Sequence, residues 1–114
     1  MNLLSEINAI IDSLDIPVET GVFSGVPPDE YVVITPLADI FEVHADNRPQ
    51  AETQEARLSL FSKCNYIKRK NQIVKALLNA DFTITGRRFI GFEADTNYYH
   101  FCIDCSKNYE FKGD

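Results

Sequence analysis

Two alternating runs on either side of a short polar turn constrain this chain more than any other feature. From Phe89 to Ala94, residues Ile90, Phe92 and Ala94 share one face of a strand. Asp95-Thr96-Asn97 supplies turn chemistry. From Tyr98 to Cys105 the alternation resumes, with Tyr99, Phe101, Ile103 and Cys105 facing one way and His100, Cys102 and Asp104 the other. Period-two patterning around a turn predicts an antiparallel hairpin.

A second pattern has the helical period. Leu3, Leu4, Ile7, Ile10, Ile11 and Leu14 follow the i, i+3/4, i+7 rule, with Glu6, Asp12 and Ser13 on the other face. Pro17 ends this helix at or before Ile16. Burying the aliphatic stripe at roughly 1.5–3 kcal/mol per side chain would dock it firmly on a sheet or another helix. Asn65 caps a second helix with apolar positions Tyr66, Ile67, Ile73, Val74, Leu77 and Leu78, ending near Asn79 or Ala80.

Between the helices, Gly21 and Gly25 bracket a short extended Val22-Phe23, and Pro27-Pro28-Asp29 reads as a turn. Tyr31 to Thr35 reads as a buried strand ending at Pro36. Phe41 to Asp46 alternates, with Phe41, Val43 and Ala45 inward, and Asn47–Gln54 reads as a loop. Ala56 to Lys63 resumes alternation with Leu58 and Leu60 inward, completing a hairpin. Phe82 to Thr85 reads as a short strand, Gly86 as a turn, and Tyr109-Glu110-Phe111 as a closing short segment. Strands therefore come in hairpins, without βαβ alternation. The expected class is α+β: a mostly antiparallel sheet of hairpins with two amphipathic helices packed on one face.

A length of 114 residues suits a single domain over 1–114. No apolar run approaches the roughly 20 residues of a membrane span, and the first residues lack the basic region of a signal peptide. No membrane partner is therefore expected. The net charge of -6 is unevenly placed: residues 1–57 hold 11 acids against Arg48 and Arg57, whereas residues 58–114 hold nine bases against six acids. An acidic chain is poorly suited to gripping nucleic acid. The asymmetry suits head-to-tail packing of copies, or else is scattered solvated charge.

The search for chemistry finds little. Cys102-Ile103-Asp104-Cys105 has C-x-x-C spacing, but inside an alternating strand those thiols point to opposite faces. Cys64, His44 and His100 are the remaining candidates to complete a metal site. Three cysteines cannot close a disulfide framework, and reduced thiols are the simpler account. His100 shares a face with Asp104, about 13 Å along the strand at ~3.3 Å per residue, and Glu93 could sit across the hairpin from His100. Glu93 and Asp95 pair two carboxylates near a turn, the residue types of a divalent-cation site or of a solvated hairpin face. No phosphate loop and no nucleophile elbow occurs. The expectation is a non-enzyme with no cofactor and no metal. Lys68-Arg69-Lys70, with Lys63 and Lys75, forms a basic stripe on the second helix.

The stretches Phe41 to Pro49, Arg57 to Tyr66 and Glu93 to His100, in that order around a helix, resemble small tail-terminator or head–tail joining proteins of long-tailed bacteriophages and prophages. The resemblance covers about Val26 to Tyr109. It implies a structural virion-assembly protein that forms a hexameric ring. The ring caps the tail tube and joins it to the head connector. The implied partners are copies of the chain, a tail-tube protein and a head-connector protein, with DNA passing by without specific binding. The implied location is the host bacterial cytoplasm during assembly and then the virion tail. The candidate subunit or partner contacts are Asp46, Arg48, Lys68, Arg69, Lys70, Asp95 and Tyr98. The alternative reading is a small protein-binding adaptor that uses the sheet edge or the basic helix face.

Overall fold

The computed structural model describes residues 2–22, 24–41 and 51–110. Along the chain these form α1 (Leu3–Ser13), β1 (Val18–Thr20), β2 (Glu30–Phe41), β3 (Ala51–Ser62), α2 (Tyr66–Asn79), β4 (Thr83–Glu93) and β5 (Tyr98–Glu110). The strands make one sheet in the order β1-β2-β3-β5-β4. Among the described residues, only the short β1–β2 pair, Val18–Thr20 against Val32–Ile34, is parallel. The expected α+β class is the observed one.

Both helices cover the same face. Leu3, Ile7 and Ile11 of α1 and Ile73 and Leu77 of α2 share one core with Val32, Ile34, Leu58, Leu60, Phe101, Ile103 and Cys105. The ladders explain this set: Leu58 lies opposite Ile34 on one side and Ile103 on the other, and Leu60 opposite Val32 and Phe101. Cross-strand partners share a face, so three strands present one apolar row to the helices.

The helices are cut to length by identical local devices. Asn2 caps α1, accepting from Ser5 N at 2.9 Å, and Asn65 caps α2, accepting from Lys68 N at 3.2 Å. At the other ends Asp15 (φ 59°) and Asp81 (φ 66°) take the left-handed conformation. Asp15 N donates to Asp12 O and Ile16 N to Ile11 O; Asp81 N donates to Leu78 O and Phe82 N to Leu77 O. Each pair of bonds is a Schellman cap, and the residue after it, Ile16 or Phe82, drops into the core.

Several expectations need correction. Pro36 does not end its strand. Val32 N points outward to Pro17 O, and the same alternation turns the nitrogen of Pro36 outward, past the end of β1 at Thr20. No ladder bond is lost there. The chain adds a bulge at Leu37 and continues to Phe41. Gly86 is not a turn: β4 runs unbroken from Thr83, with register shifts between Ile84 and Gly86 and between Phe89 and Gly91. The second shift breaks the expected common face of Ile90, Phe92 and Ala94, and Ala94 lies in the turn. Ala51 to Gln54 belong to β3 and not to a loop. Ser106 to Glu110 continue β5, whereas Phe111 lies outside the described residues. The extended piece is Val18–Thr20, since Val22 sits in a bend and Phe23 is outside the described residues. Ile67 and Leu78 of α2 are exposed, as is Phe41. The rest of the expected 41–46 strand and residues 47–50 lie outside the described residues.

Candidate interaction surfaces

The face of the sheet away from the helices carries a row of aromatic, thiol and charged side chains. Tyr31, Val33 and Tyr98 form a small second core, with Phe61 against it. Phe61 stacks on Tyr31 (centroids 4.8 Å) and on His100 (4.2 Å). Beyond His100 lies Cys102, whose Sγ is 3.6 Å from His100 Nε2 and 3.8 Å from Ser59 Oγ. Arg57 then forks onto Asp104, donating from Nε at 2.8 Å and Nη2 at 3.1 Å.

This row has the residue types of a thiol–imidazole site but not its arrangement. Asp104 spends both oxygens on Arg57 and does not orient His100. Burial lowers the pKa of His100, with help from the Arg57 charge and against the pull of Glu93, so the ring is neutral at pH 7. Cys102 is only 5% exposed. Cys105 faces the opposite way, into the helix-side core, where burial foremost and the nearby Asp104 charge push its thiol up to about 12. Among the described residues, no three His, Cys, Asp or Glu groups are gathered to hold a metal ion. His44 lies outside them.

The candidate contact residues divide sharply. Arg69 is structural: its Nε donates to Glu30 Oε1 at 2.6 Å and its Nη1 to Leu14 O and Gln72 Oε1, tying α2 to β2 and to the end of α1. Lys70 lies over the Phe101 ring at 4.9 Å. Lys63 bridges Asp29 at 3.7 Å and lies over Tyr98. The expected basic stripe is therefore partly engaged inside the subunit: Arg69 and Lys70 are partly buried, whereas Lys63, Lys68 and Lys75 are exposed, Lys63 in a surface pair. Tyr98 is buried, with its hydroxyl donating to Pro28 O and its ring edge-on to Tyr31. Asp95 is exposed in the β4–β5 turn. Asp46 and Arg48 lie outside the described residues.

No protein-family model and no curated protein matches the chain.

Charges that the fold leaves over are more telling than the stripe. The described ion pairs are Arg57–Asp104, Lys63–Asp29, Arg69–Glu30 and Lys107–Glu6. Asp39, Glu52, Glu55 and Glu110 enter none of them, and all lie toward the β2–β3 end that projects past the start of β4. Lys68 and Lys75 on α2 and Arg87 and Arg88 on β4 enter none either. Beside these bases, Ile67, Leu78, Phe89, Ile90 and Phe92 are each about half exposed. The sequence signal for this was the acidic first half and basic second half. Which individual charges remain free depended on the fold.

Among the described residues, no helix is long and apolar enough to cross a membrane.

Proposed function

We propose that this chain is a structural subunit of the phage tail-terminator type, assembling with its own copies into a ring that joins a tail tube to a head connector. One observation carries the assembly reading. Unpaired acids at one end and unpaired bases with half-exposed apolar side chains at the opposite sheet edge make two unlike surfaces on one subunit. Unlike surfaces on one chain favour head-to-tail contacts, which close into rings when the rotation permits. The phage assignment rests on the resemblance of the 41–49, 57–66 and 93–100 stretches. An adaptor that grips a partner through the basic helix is less well supported, because Arg69 and Lys70 are engaged within the subunit.

Light scattering after size exclusion, followed by negative-stain microscopy with and without a tail-tube protein, tests this reading. Rings are expected, with six subunits. A monomer under every condition, with no rings when the tube protein is present, would overturn it.

A further inference from the structure

The sheet has two open stretches of edge among the described residues: β4 along its length, and β2 from Thr35 to Ile40, past the end of β1. Strand directions across the order β1-β2-β3-β5-β4 make β4 antiparallel to β2. A second copy set beside the first in the same orientation would therefore bring its β2 antiparallel to the β4 of its neighbour. Bulges limit the usable lengths. Ala38 to Phe41 is a regular run after the shift at Leu37, and Gly86 to Phe89 is a regular run between the two shifts of β4.

We infer that the outer edge of β2 at Ala38–Ile40 docks on the outer edge of β4 at Gly86–Arg88 in a second copy, with Asp39 opposite Arg87. This rests on the ring-assembly reading above and names its contact. Three features set the register. Asp39 pairs with Gln54, and Arg87 with Ile103, so both side chains lie on the helix-bearing face. Following the ladder alternation through the bulges turns the main-chain N–H and C=O of both residues away from their own sheet, ready to pair. In this register Ile40 falls opposite Gly86, which offers no side chain to clash. The charge match is then direct: Asp39 meets Arg87, with Arg88 adjacent and Glu52 and Glu55 behind. Asp81 and Glu93 flank β4, so acids border the basic run and limit its slippage. A contact so built is antiparallel strand addition, with charge selecting the partner strand and register.

Within one subunit Asp39 and Arg87 are separated by β3 and β5, about 14 Å across the sheet at ~4.8 Å per strand, and by a further offset along it, since they align with Lys107 and Ile103 of β5. Cysteines placed there cannot close a disulfide inside the chain. The test is the chain carrying Asp39→Cys, Arg87→Cys and Cys64→Ser, oxidised at assembling concentrations and run without reductant. A ladder of covalent multimers is expected, with either single cysteine giving no more than background. A second variant, Arg87→Glu, should raise the concentration for assembly at least tenfold, and adding Asp39→Arg on the same chain should restore it. If the wild type forms rings but neither the ladder nor the rescue appears, the contact is overturned while the ring reading stands. If the wild type never assembles, both fall.

Discussion

Lys107 Nζ donates to Glu6 Oε2 at 2.8 Å and to Ala80 O at 2.9 Å, so one ammonium on β5 joins α1 to the C-terminal end of α2. The cation sits where the α2 dipole favours it. Burial would raise the pKa of Glu6, but the hydrogen bond from Lys107 and the Lys107 charge hold it below the ordinary carboxylate range. Lys107→Met should cost about 2–3 kcal/mol, because it strands a largely buried carboxylate. Adding Glu6→Gln should recover part of that loss. Urea melts of the single and double variants measure both.

The same pair sets an acid limit. A carboxylate with a depressed folded pKa contributes stability above its unfolded value near 4.5, lost as pH falls through the folded value. His100, also depressed, acts in the same direction: protonation favours the unfolded chain as pH falls below about 6.5. Stability should therefore decline in two stages on acidification. His100→Gln should flatten the first stage and Glu6→Gln the second, in urea midpoints recorded from pH 7.5 to 3.

Arg69 and Lys68 are sequence neighbours with different roles. Arg69→Ala should lower stability by about 1–3 kcal/mol, since it leaves the partly buried Glu30 with the Ser62 hydroxyl in place of a charged partner. Lys68→Ala, on an exposed position, should stay within about 0.5 kcal/mol of wild type. Thermal melts of the two variants distinguish a structural arginine from a surface lysine.

The three thiols should separate kinetically. Cys64 is exposed, whereas Cys102 and Cys105 are buried. Titration with a thiol-specific disulfide reagent should modify one cysteine quickly in the native protein and the other two only on unfolding. Cys64→Ser should remove the fast phase. Rapid native modification of all three would contradict the packing of both sheet faces.

At the end of α2, Asp81 holds a left-handed conformation that glycine adopts without steric cost. Asp81→Gly should stabilise the protein by about 0.5–1 kcal/mol. Asp81→Val, β-branched at the same φ, should destabilise it. Calorimetric midpoints report both signs.

How much of this was written in the sequence depends on the range of the interactions concerned. Helix period, the Asn65 cap and the two faces of β5 are local, so Leu3–Leu14 and Tyr98–Cys105 were legible directly. The opposite orientation of Cys102 and Cys105 followed from period two alone. Pro36 and Gly86 misled because both ordinarily punctuate a chain. Pro36 is tolerated because β1 stops short of it, a fact about a neighbouring strand. Gly86 sits beside a bulge whose register only the β4–β5 pairing fixes.

The leftover charges tell the same story. Composition announced an acidic half and a basic half. Tertiary contacts then absorbed Arg69 into Glu30, Arg57 into Asp104 and Lys107 into Glu6, and left Asp39 and Arg87 on opposite edges. The sequence by itself determined the two helices and the alternating faces of β3 at Leu58 and Leu60 and of β5 at Tyr98–Cys105, because those depend on backbone period and neighbouring residues. Only the tertiary structure decided the strand order, the open edges and the charges left for a partner, because each depends on which distant segments meet.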